Sequence, residues 1–214
     1  MDERATGIIL RTRPLTETSL IVHWLTPEHG RIATVAKGAR RPKSPFRGKL
    51  DLYYLGEFRF LRHRRSDLHT LCEVSLRDTH AKLREDFKKL EQAAYCAALI
   101  EHATEADTPL PELYELFAGF LAHLTANPPA PETVLAFELK ALRQLGLEPD
   151  IYESKHSEGT RTLLRKLTDA DWPLIARLKA SEAQLHEMQQ FLHGFLIYHP
   201  ERLPKGRADA IDAG

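Results

Sequence analysis

The sequence predicts an α+β chain in two parts, a small five-stranded β-barrel followed by an all-α helical region. Up to about residue 78, five short runs alternate apolar with polar residues and are separated by turn residues, a pattern typical of half-buried strands. Beyond that point the apolar period changes from two residues to about 3.6, the period of a helix. Residues 1–78 carry a net charge of +6 and residues 79–214 a net charge of −6, although the whole chain is neutral. Opposite charges favour two modules with different partners, so we predict domains at residues 1–78 and 79–214.

The five runs are each justified by their composition and by the turns between them. Pro14 ends the first run, and the four residues before Arg31 form a compact turn that joins the second and third runs into a hairpin. Gly56, inside the fourth run, indicates a bulge or a sharp bend of the kind that small barrels need. Of the small barrels, the OB-fold is the commonest five-stranded form, and an SH3-like barrel would give a similar pattern. The predicted strands are residues 6–13, 19–26, 30–37, 50–62 and 68–76.

The helical part is marked by caps and breakers. Asp78 and Thr79 are predicted to cap the first helix, a proline-rich linker at residues 127–131 separates two others, and Gly146 is placed to end a helix. Ser181 to Gln184 form a capping box for the last helix. The apolar stripes of these helices most simply face a shared core. The predicted helices are residues 78–102, 112–125, 132–145, 159–167 and 168–179, and one from residue 181 that ends before Pro200.

Residues 38–49, which we call the basic loop, follow the third strand and cannot continue it. They contain five cations and no acidic residue, and Pro42 and Pro45 fix the backbone and remove ladder donors. Such a loop suits a nucleic-acid backbone, because cations displace the counterions that surround the phosphates. One aromatic residue, Phe46, lies in the middle, where an exposed ring would stack on a base of any identity. Two alternatives stay open: the loop is an ordinary solvated loop, or Phe46 is turned inward as an anchor.

Several other function classes have little support in the sequence. The two cysteines, Cys72 and Cys96, form no CxxC motif, which is typical of a reduced, cytoplasmic chain. We expect no signal peptide and no membrane span, because no long apolar run is present. Walker, GxSxG and GxGxxG motifs are absent, so no nucleotide chemistry is predicted. We therefore expect a protein that is not an enzyme and that needs no cofactor.

Three metal-dependent alternatives have little support in the sequence. The helix that begins at His186 and Glu187 has Gln190 where a zinc peptidase needs its second histidine. The pairs His63 with His69 and His193 with His199 would meet a metal ion only by accident of folding. A two-metal nuclease site needs several convergent carboxylates, and spacing does not bring the barrel acids together. Those acids are Asp51, Glu57, Asp67 and Glu73.

Three stretches, at residues 7–22, 25–31 and 36–50, together resemble the RecO family of bacterial recombination and repair mediators. The step Glu17-Thr18-Ser19 and the run Lys37-Gly38-Ala39-Arg40 stand in the order of that family. The resemblance is looser beyond residue 60, but it can be followed at residues 137–149 and 195–207. It implies an OB-fold followed by a helical domain, with single-stranded and double-stranded DNA as ligands. It also implies strand annealing in the RecF pathway, and loading of the recombinase on DNA coated by single-stranded DNA-binding protein, with RecR as partner.

The resemblance also suggests which residues bind. The resemblance implies a DNA role for Arg11, Lys37, Arg40, Arg41, Lys43 and Arg47, and it extends to Arg31 and Lys49. Phe46 is the candidate for stacking on a base. In the family, the helical domain takes up the acidic, aromatic-ended C-terminal tail of single-stranded DNA-binding protein, which requires an apolar pocket with a basic rim. Candidates for that rim are Lys140, Arg143, Arg161, Arg165 and Lys166, and solvated helix cations are the plain alternative.

One departure from the family is evident. Many members have a four-cysteine zinc element after the leucine-glycine-x-x-proline step, whereas residues 150–158 contain no cysteine. The chain is therefore expected to be a zinc-free, shortened member, without whatever the zinc element contributes elsewhere. The resemblance leads us to expect cytoplasmic, nucleoid-associated localisation. Two further functions stay open: an RNA-binding OB-fold protein, and an adaptor that does not bind DNA directly.

Overall fold

The first 78 residues form a closed five-stranded barrel in the computed structural model, which describes residues 1–151, 156–198 and 204–212. The strand order is β1-β2-β3-β5-β4, and β4 pairs with β1 to close the barrel. The β3–β5 pairing is parallel and the other four are antiparallel. This topology and the helices that follow it confirm the predicted fold class. The strands are β1 (Asp2–Pro14), β2 (Leu20–Thr26), β3 (Gly30–Ala36), β4 (Leu55–Leu61) and β5 (Leu68–Asp78).

Irregular pairing allows this short sheet to close. The register of β1 against β2 shifts between Ile9 and Arg11, and that of β4 against β5 shifts between Leu55 and Gly56, as the glycine predicted. Such bulges bend a strand and increase its twist. Gly56 also lies close to the neighbouring backbone, because a Cβ added there would be 3.0 Å from the Ser75 carbonyl oxygen. The bend therefore requires a residue without a side chain.

The barrel interior is packed with aromatic rings. Trp24 stacks on Phe58 with 4.1 Å between ring centroids, and both rings are buried in one core cluster with Phe60. The indole nitrogen of Trp24 donates to the Thr34 hydroxyl at 2.9 Å, so its one polar atom is satisfied inside the core. These contacts explain why the aromatic residues of the second and fourth strands point inward.

The fourth strand begins five residues later than predicted. Residues 50–54 form a turn in which Tyr53 has a positive φ of 64°. The backbone N–H of Tyr53 donates to the Ile9 carbonyl at 2.8 Å, and the N–H of Ile9 donates to the Tyr54 carbonyl at 3.0 Å. The alternating pattern of these residues suggested a strand, but the bonds to β1 hold them in a turn.

Two compact units are present, and their boundary differs from a simple division at residue 78. One unit contains residues 1–80 and 104–115, and the other contains residues 81–103 and 116–214. The segment 104–115 belongs to the barrel unit because Arg31 donates to the Thr104 hydroxyl at 2.7 Å and the N–H of Asp107 donates to the Arg31 carbonyl at 2.9 Å. Gly30 permits this approach, since a Cβ there would lie 1.9 Å from the Thr108 carbonyl oxygen. That residues 1–78 and 79–214 are two separate domains stays a prediction.

The helical unit is organised around a buried central helix, α3. Its residues from Glu132 to Leu139 are all buried, and α3 contacts five other helices of the unit. A 3-10 turn at Ala81–Glu85 precedes the helices. The helices are α1 (Phe87–Ala103), α2 (Pro111–Ala126), α3 (Pro131–Gln144), α4 (Glu158–Asp169), α5 (Trp172–Ile175), α6 (Glu182–Tyr198) and α7 (Arg207–Ile211).

Two helix predictions were wrong in their limits. Asp78 does not cap a helix, because its carboxylate accepts a hydrogen bond from the backbone N–H of His80 at 2.7 Å. Helix α1 begins only after Asp86, whose carboxylate accepts from the backbone N–H of Lys88 at 2.9 Å. The helix predicted at 168–179 is the four-residue α5, which Asp171 caps by accepting from the N–H of Leu174 at 3.0 Å. The stretch without cysteine, residues 150–158, includes residues 152–155, which lie outside the described residues. The last helix is predicted to end before Pro200, and Pro200 also lies outside them.

A buried polar cluster connects three helices of this unit. Arg207 on α7 donates two bonds to the carboxylate of Glu138 on α3, at 2.6 and 2.8 Å, and the hydroxyl of Tyr95 on α1 donates to the same carboxylate at 2.5 Å. Burial, followed by the adjacent Glu138 charge, raises the pKa of Tyr95, so the phenol stays protonated as a donor. Because Glu138 is fully buried, these two side chains bind its carboxylate where water cannot reach it.

Replacing Arg207 with methionine should destabilise the helical unit by about 3–5 kcal/mol, since it leaves a buried carboxylate without its cation. Chemical denaturation followed by far-UV circular dichroism measures the loss. Arg177→Met is the matched control, because Arg177 is exposed and should lose little. Equal losses in the two variants would contradict a central role for the Glu138 cluster.

Candidate nucleic-acid interface

The basic loop is a succession of tight turns. Backbone N–H groups of Arg41, Ser44, Arg47 and Lys49 each donate to the carbonyl three residues earlier, at distances of 3.0 to 3.2 Å. Gly38 and Gly48 supply positive φ angles of 69° and 71°. Other residue types rarely adopt these angles, so the two glycines let the chain turn at each end of the loop. The loop therefore has a defined conformation of its own.

Phe46 fixes this loop to the barrel. Its ring is only 6% exposed and belongs to the barrel core cluster, with Leu20 and Leu50 packed against that cluster. The prediction that the ring stacks on a base is therefore wrong, and the alternative of an inward anchor is found instead. The sequence could not decide this, because a single aromatic residue between prolines is compatible with both orientations.

With the ring inside, the cations of this region lie outside. Lys37, Arg40, Arg41, Lys43 and Arg47 are exposed, and Lys49 is half-buried. Arg40 attaches the loop to the β1–β2 turn, because its guanidinium donates to the Thr16 carbonyl at 3.2 Å and its backbone N–H donates to the Thr18 carbonyl at 3.0 Å. These acceptors are neutral. Within the described residues no carboxylate forms an ion pair with any of the five exposed cations, so their charge is available to an anion.

A second group of cations lies on the outer face of β1, in the same barrel unit. Arg11 is paired across the strands with His23, and Arg13, two residues further along, is on the same face. Burial lowers the pKa of His23 to about 4, and the positive charges of Arg11, Arg13 and Arg31 lower it further in the same direction. This imidazole is therefore neutral at pH 7, and its surroundings favour a negative charge. Sequence reasoning missed Arg13, although the strand period alone places it beside Arg11.

Arg31 has a different role from the one predicted. It is half-buried, and its guanidinium donates to both the hydroxyl and the carbonyl oxygen of Thr104. Its side chain thus holds the segment 104–115 against β3 and is not exposed with the cations of the basic loop. A basic residue on a strand gives no indication in sequence of which distant carbonyl it will meet.

Two of the five cations predicted for a partner-binding rim are used inside the helical unit. The ammonium of Lys140 donates to the carbonyl oxygens of Thr168 at 2.9 Å and Ala170 at 2.6 Å, at the end of α4, and burial lowers its pKa. Arg143 donates to Glu148 at 2.7 Å and Asp169 at 2.9 Å, and these bonds raise its pKa. Two carboxylates thus compensate Arg143, and Lys140 is half-buried with its ammonium bound to two carbonyl oxygens. Neither side chain is presented to a partner as the predicted rim requires.

The other three candidates lie together on α4. Arg161 and Arg165 are half-buried and Lys166 is exposed, on the side of the helix opposite to the buried Leu163, Leu164 and Leu167. These three cations thus lie on one helix, whose C-terminal end is the part that Lys140 and Arg143 contact. Their role in binding a partner stays a prediction.

The residues weighed for metal chemistry do not converge. Glu57 pairs with Arg77 at 2.5 Å, and Glu73 lies 3.7 Å from Arg59. In the described part of the chain, no group of three or more histidine, cysteine or acidic residues is placed to hold a metal ion. His199 is outside that part. No described helix is both long enough and apolar enough to cross a membrane.

Comparison with known proteins places this chain in a family. A family model described as "Recombination protein O N terminal" matches residues 1–80, and one described as "Recombination protein O C terminal" matches residues 84–154. The "DNA repair protein RecO" of Anaeromyxobacter sp. (strain K) is 36% identical over 146 residues, which cover 68% of this chain and 58% of that protein. The protein of the same name from Bacillus subtilis (strain 168) is 32% identical over 153 residues, covering 72% of this chain and 59% of the relative. The match thus spans less than two thirds of the length of these curated relatives.

Phe46→Ala should cost the barrel about 3–5 kcal/mol, the usual loss when a buried phenylalanine is truncated. Phe46→Leu keeps an apolar anchor and should cost less. If the ring is an anchor, Phe46→Leu should also leave the affinity for a single-stranded oligonucleotide unchanged. Chemical denaturation and fluorescence anisotropy measure the two quantities. A large loss of affinity in a stably folded Phe46→Leu variant would restore the stacking role.

Proposed function

Because the chain belongs to the RecO family, we propose that it is a DNA repair and recombination mediator that binds single-stranded and double-stranded DNA through the outer surface of its barrel. The observation that carries this proposal is the set of exposed cations on the basic loop, which no described carboxylate neutralises. The inward Phe46 and the bonds of Arg40 to the β1–β2 turn hold these cations in place. A fixed positive surface binds phosphates with little ordering cost.

The chemistry of this surface suits strand annealing. Lysine and arginine side chains contact the phosphates, which are the same in every nucleotide, and they leave the base edges free. A strand held in this way is still able to pair with its complement. With Phe46 in the core, the basic loop has no aromatic ring that would occupy the base faces. Annealing then needs no nucleotide hydrolysis and no catalytic residue, so the mediator acts without an enzymatic step of its own.

The proposed interface combines residues of the basic loop with residues on the outer face of β1. The loop contributes Arg40, Arg41, Lys43 and Arg47, with Lys37 just before it and Lys49 at its edge. The outer face of β1 contributes Arg11 and Arg13, beside the neutral His23. A phosphate near these two arginines would favour the charged imidazole and raise the pKa of His23. Nucleic-acid binding at this face is therefore expected to tighten as the pH is lowered.

The partners of the proposed mediator follow from its family. They are RecR and the acidic, aromatic-ended C-terminal tail of single-stranded DNA-binding protein, and through them the chain helps to load the recombinase on coated DNA at the nucleoid. The helical unit is the proposed contact for the tail. After the exclusion of Lys140 and Arg143, the cations of α4, Arg161, Arg165 and Lys166, are the remaining proposed contact for its carboxylates.

RNA is the second candidate ligand. A surface that contacts phosphates distinguishes RNA from DNA only if it reads the 2′-hydroxyl group. Competition between DNA and RNA strands of equal length separates the two functions. A pure adaptor would bind neither strand.

Replacing Arg40, Arg41 and Lys43 with alanine should weaken binding of a single strand and make it less dependent on salt. If the native chain neutralises about 4–6 phosphates, the slope of log K against log salt is roughly −3 to −4, and each lost contact reduces it by about 0.7. Anisotropy titrations over a range of salt concentrations measure the slope.

The matched control removes three exposed cations of the helical unit, Lys82, Arg177 and Lys179, and should leave the slope unchanged. An affinity that is independent of salt in the native chain would reject the proposed interface. Unchanged binding in the loop variant would favour an adaptor, or a binding surface elsewhere.

A synthetic acidic tail peptide that ends in an aromatic residue should bind the native chain, and the Arg161→Ala/Lys166→Ala variant should bind it more weakly. The same peptide with its acids replaced by amides is the control, and it should lose affinity because the proposed contacts are ionic. Calorimetric titration measures both. Absence of binding to the native chain would remove this partner, and equal binding to native and variant would move the site away from α4.

A further inference from the structure

The loop between β4 and β5, residues 62–67, carries a further pair of exposed cations, with the exposed Asp67 at its end. Arg64 and Arg65 are both exposed, and neither forms an ion pair with a described residue. The segment follows the fourth predicted strand and precedes the fifth, and the proposed function makes no use of it. Adjacent arginines are well suited to phosphate, because each guanidinium presents a planar set of donors that binds two oxygens at once.

The loop is attached at both ends, so the two arginines project from a defined base. Arg62, just before them, is held by Glu3 at 3.0 Å and by Asp107 at 2.9 Å. The imidazole of His63 bonds to the Thr70 hydroxyl at 2.9 Å. On the other side, the backbone N–H of Leu68 donates to the Ser66 hydroxyl at 3.1 Å. The charge of Arg62 is therefore compensated, while Arg64 and Arg65 keep theirs.

The topology separates this loop from the basic loop. The two ends of β1 pair with different neighbours: Asp2 lies opposite Leu61, where the β4–β5 loop starts, and Pro14 lies opposite Leu20, beside the basic loop. The β4–β5 loop leads into the start of β5 and the basic loop follows the end of β3; in the parallel β3–β5 pair, Leu68 lies beside Ala33, three residues before β3 ends. The two loops thus leave this strand pair in opposite directions, with roughly 10 Å of strand between their attachment points.

The cations of β4 and β5 between these two loops are neutralised. Arg59 on β4 lies 3.1 Å from Asp2 and 3.7 Å from Glu73, and Arg77 on β5 lies 2.5 Å from Glu57. An anionic strand that follows this face would meet paired charges and three carboxylates. The two loops are therefore two separate positive regions and not the ends of one continuous track.

We propose that the β4–β5 loop is a second site for a nucleic-acid backbone, centred on Arg64 and Arg65, so that one barrel holds two strands at once. This inference rests on the proposed function, in which the basic loop holds the first strand. It gives annealing a physical basis, because two strands on one protein meet at a high effective concentration. A chain with a single site brings two strands together only through two copies of itself.

The test uses two non-complementary oligonucleotides of about 15 nucleotides, within the site size of an OB-fold, one labelled with a donor dye and one with an acceptor. The native chain should produce energy transfer between them. Arg64→Glu/Arg65→Glu should bind a single oligonucleotide with unchanged affinity at the basic loop but lose energy transfer by about tenfold, and anneal complementary strands correspondingly more slowly. Arg64→Lys/Arg65→Lys should retain most of the signal. Arg177→Glu/Lys179→Glu, the same charge change on the helical unit, should behave as the native chain does.

Each result has a definite meaning. Full energy transfer in Arg64→Glu/Arg65→Glu overturns the second site, because the two strands are then joined through another surface or through two protein copies. If the native chain binds no oligonucleotide, or the basic-loop variant loses no affinity, the proposed function fails. That result differs from full energy transfer in Arg64→Glu/Arg65→Glu, which overturns only the second site. If the glutamate variant unfolds, which its circular dichroism reveals, Arg64→Ala/Arg65→Ala decides by the same criterion.

Discussion

The burial of one aromatic ring determines how this protein presents its charge. Phe46 lies in the middle of the basic loop, and its ring fills part of the barrel core. Because the ring points inward, the neighbouring cations Arg41, Lys43 and Arg47 are exposed on the other side. The apolar contact gains free energy from removing the ring from water, and that gain opposes the mutual repulsion of the cations. The binding surface and the barrel core are thus parts of one structure.

Where each cation is used depends on what faces it across the fold. Arg59 and Arg62 carry the same charge as Arg40 and Arg41, but carboxylates on β1, β5 and the segment 104–115 compensate it. Arg40 meets only backbone carbonyls, so it keeps its net charge. The net charge of +6 on residues 1–78 is therefore not spread evenly over the barrel. It is concentrated in the exposed cations of the basic loop and in Arg64 and Arg65, which form no ion pair with a described residue.

The helical unit follows the opposite rule, because its best-placed charges are structural. Glu138 and Arg207 are buried together, and the Lys140 ammonium donates hydrogen bonds to carbonyl oxygens at the end of α4. A buried charge without a partner is costly, so these contacts fix α7 and α4 relative to α3 within the unit. Arg207 and Arg143 are already paired with carboxylates of their own unit, so our proposal assigns the partner's carboxylates to the cations of α4 instead.

By itself the sequence determined the number of strands and their succession along the chain, the change to helices after residue 78, the bend at Gly56 and the basic character of the loop. These depend on local periodicity, turn residues and composition, which a chain carries wherever it folds. Only the tertiary structure decided the inward side of Phe46, the turn at Tyr53, the addition of residues 104–115 to the barrel unit, and the internal use of Arg31 and Lys140. Each of these depends on a contact between residues far apart in sequence. Composition tells which residues are charged or apolar, but only the folded chain decides which of them meet and cancel.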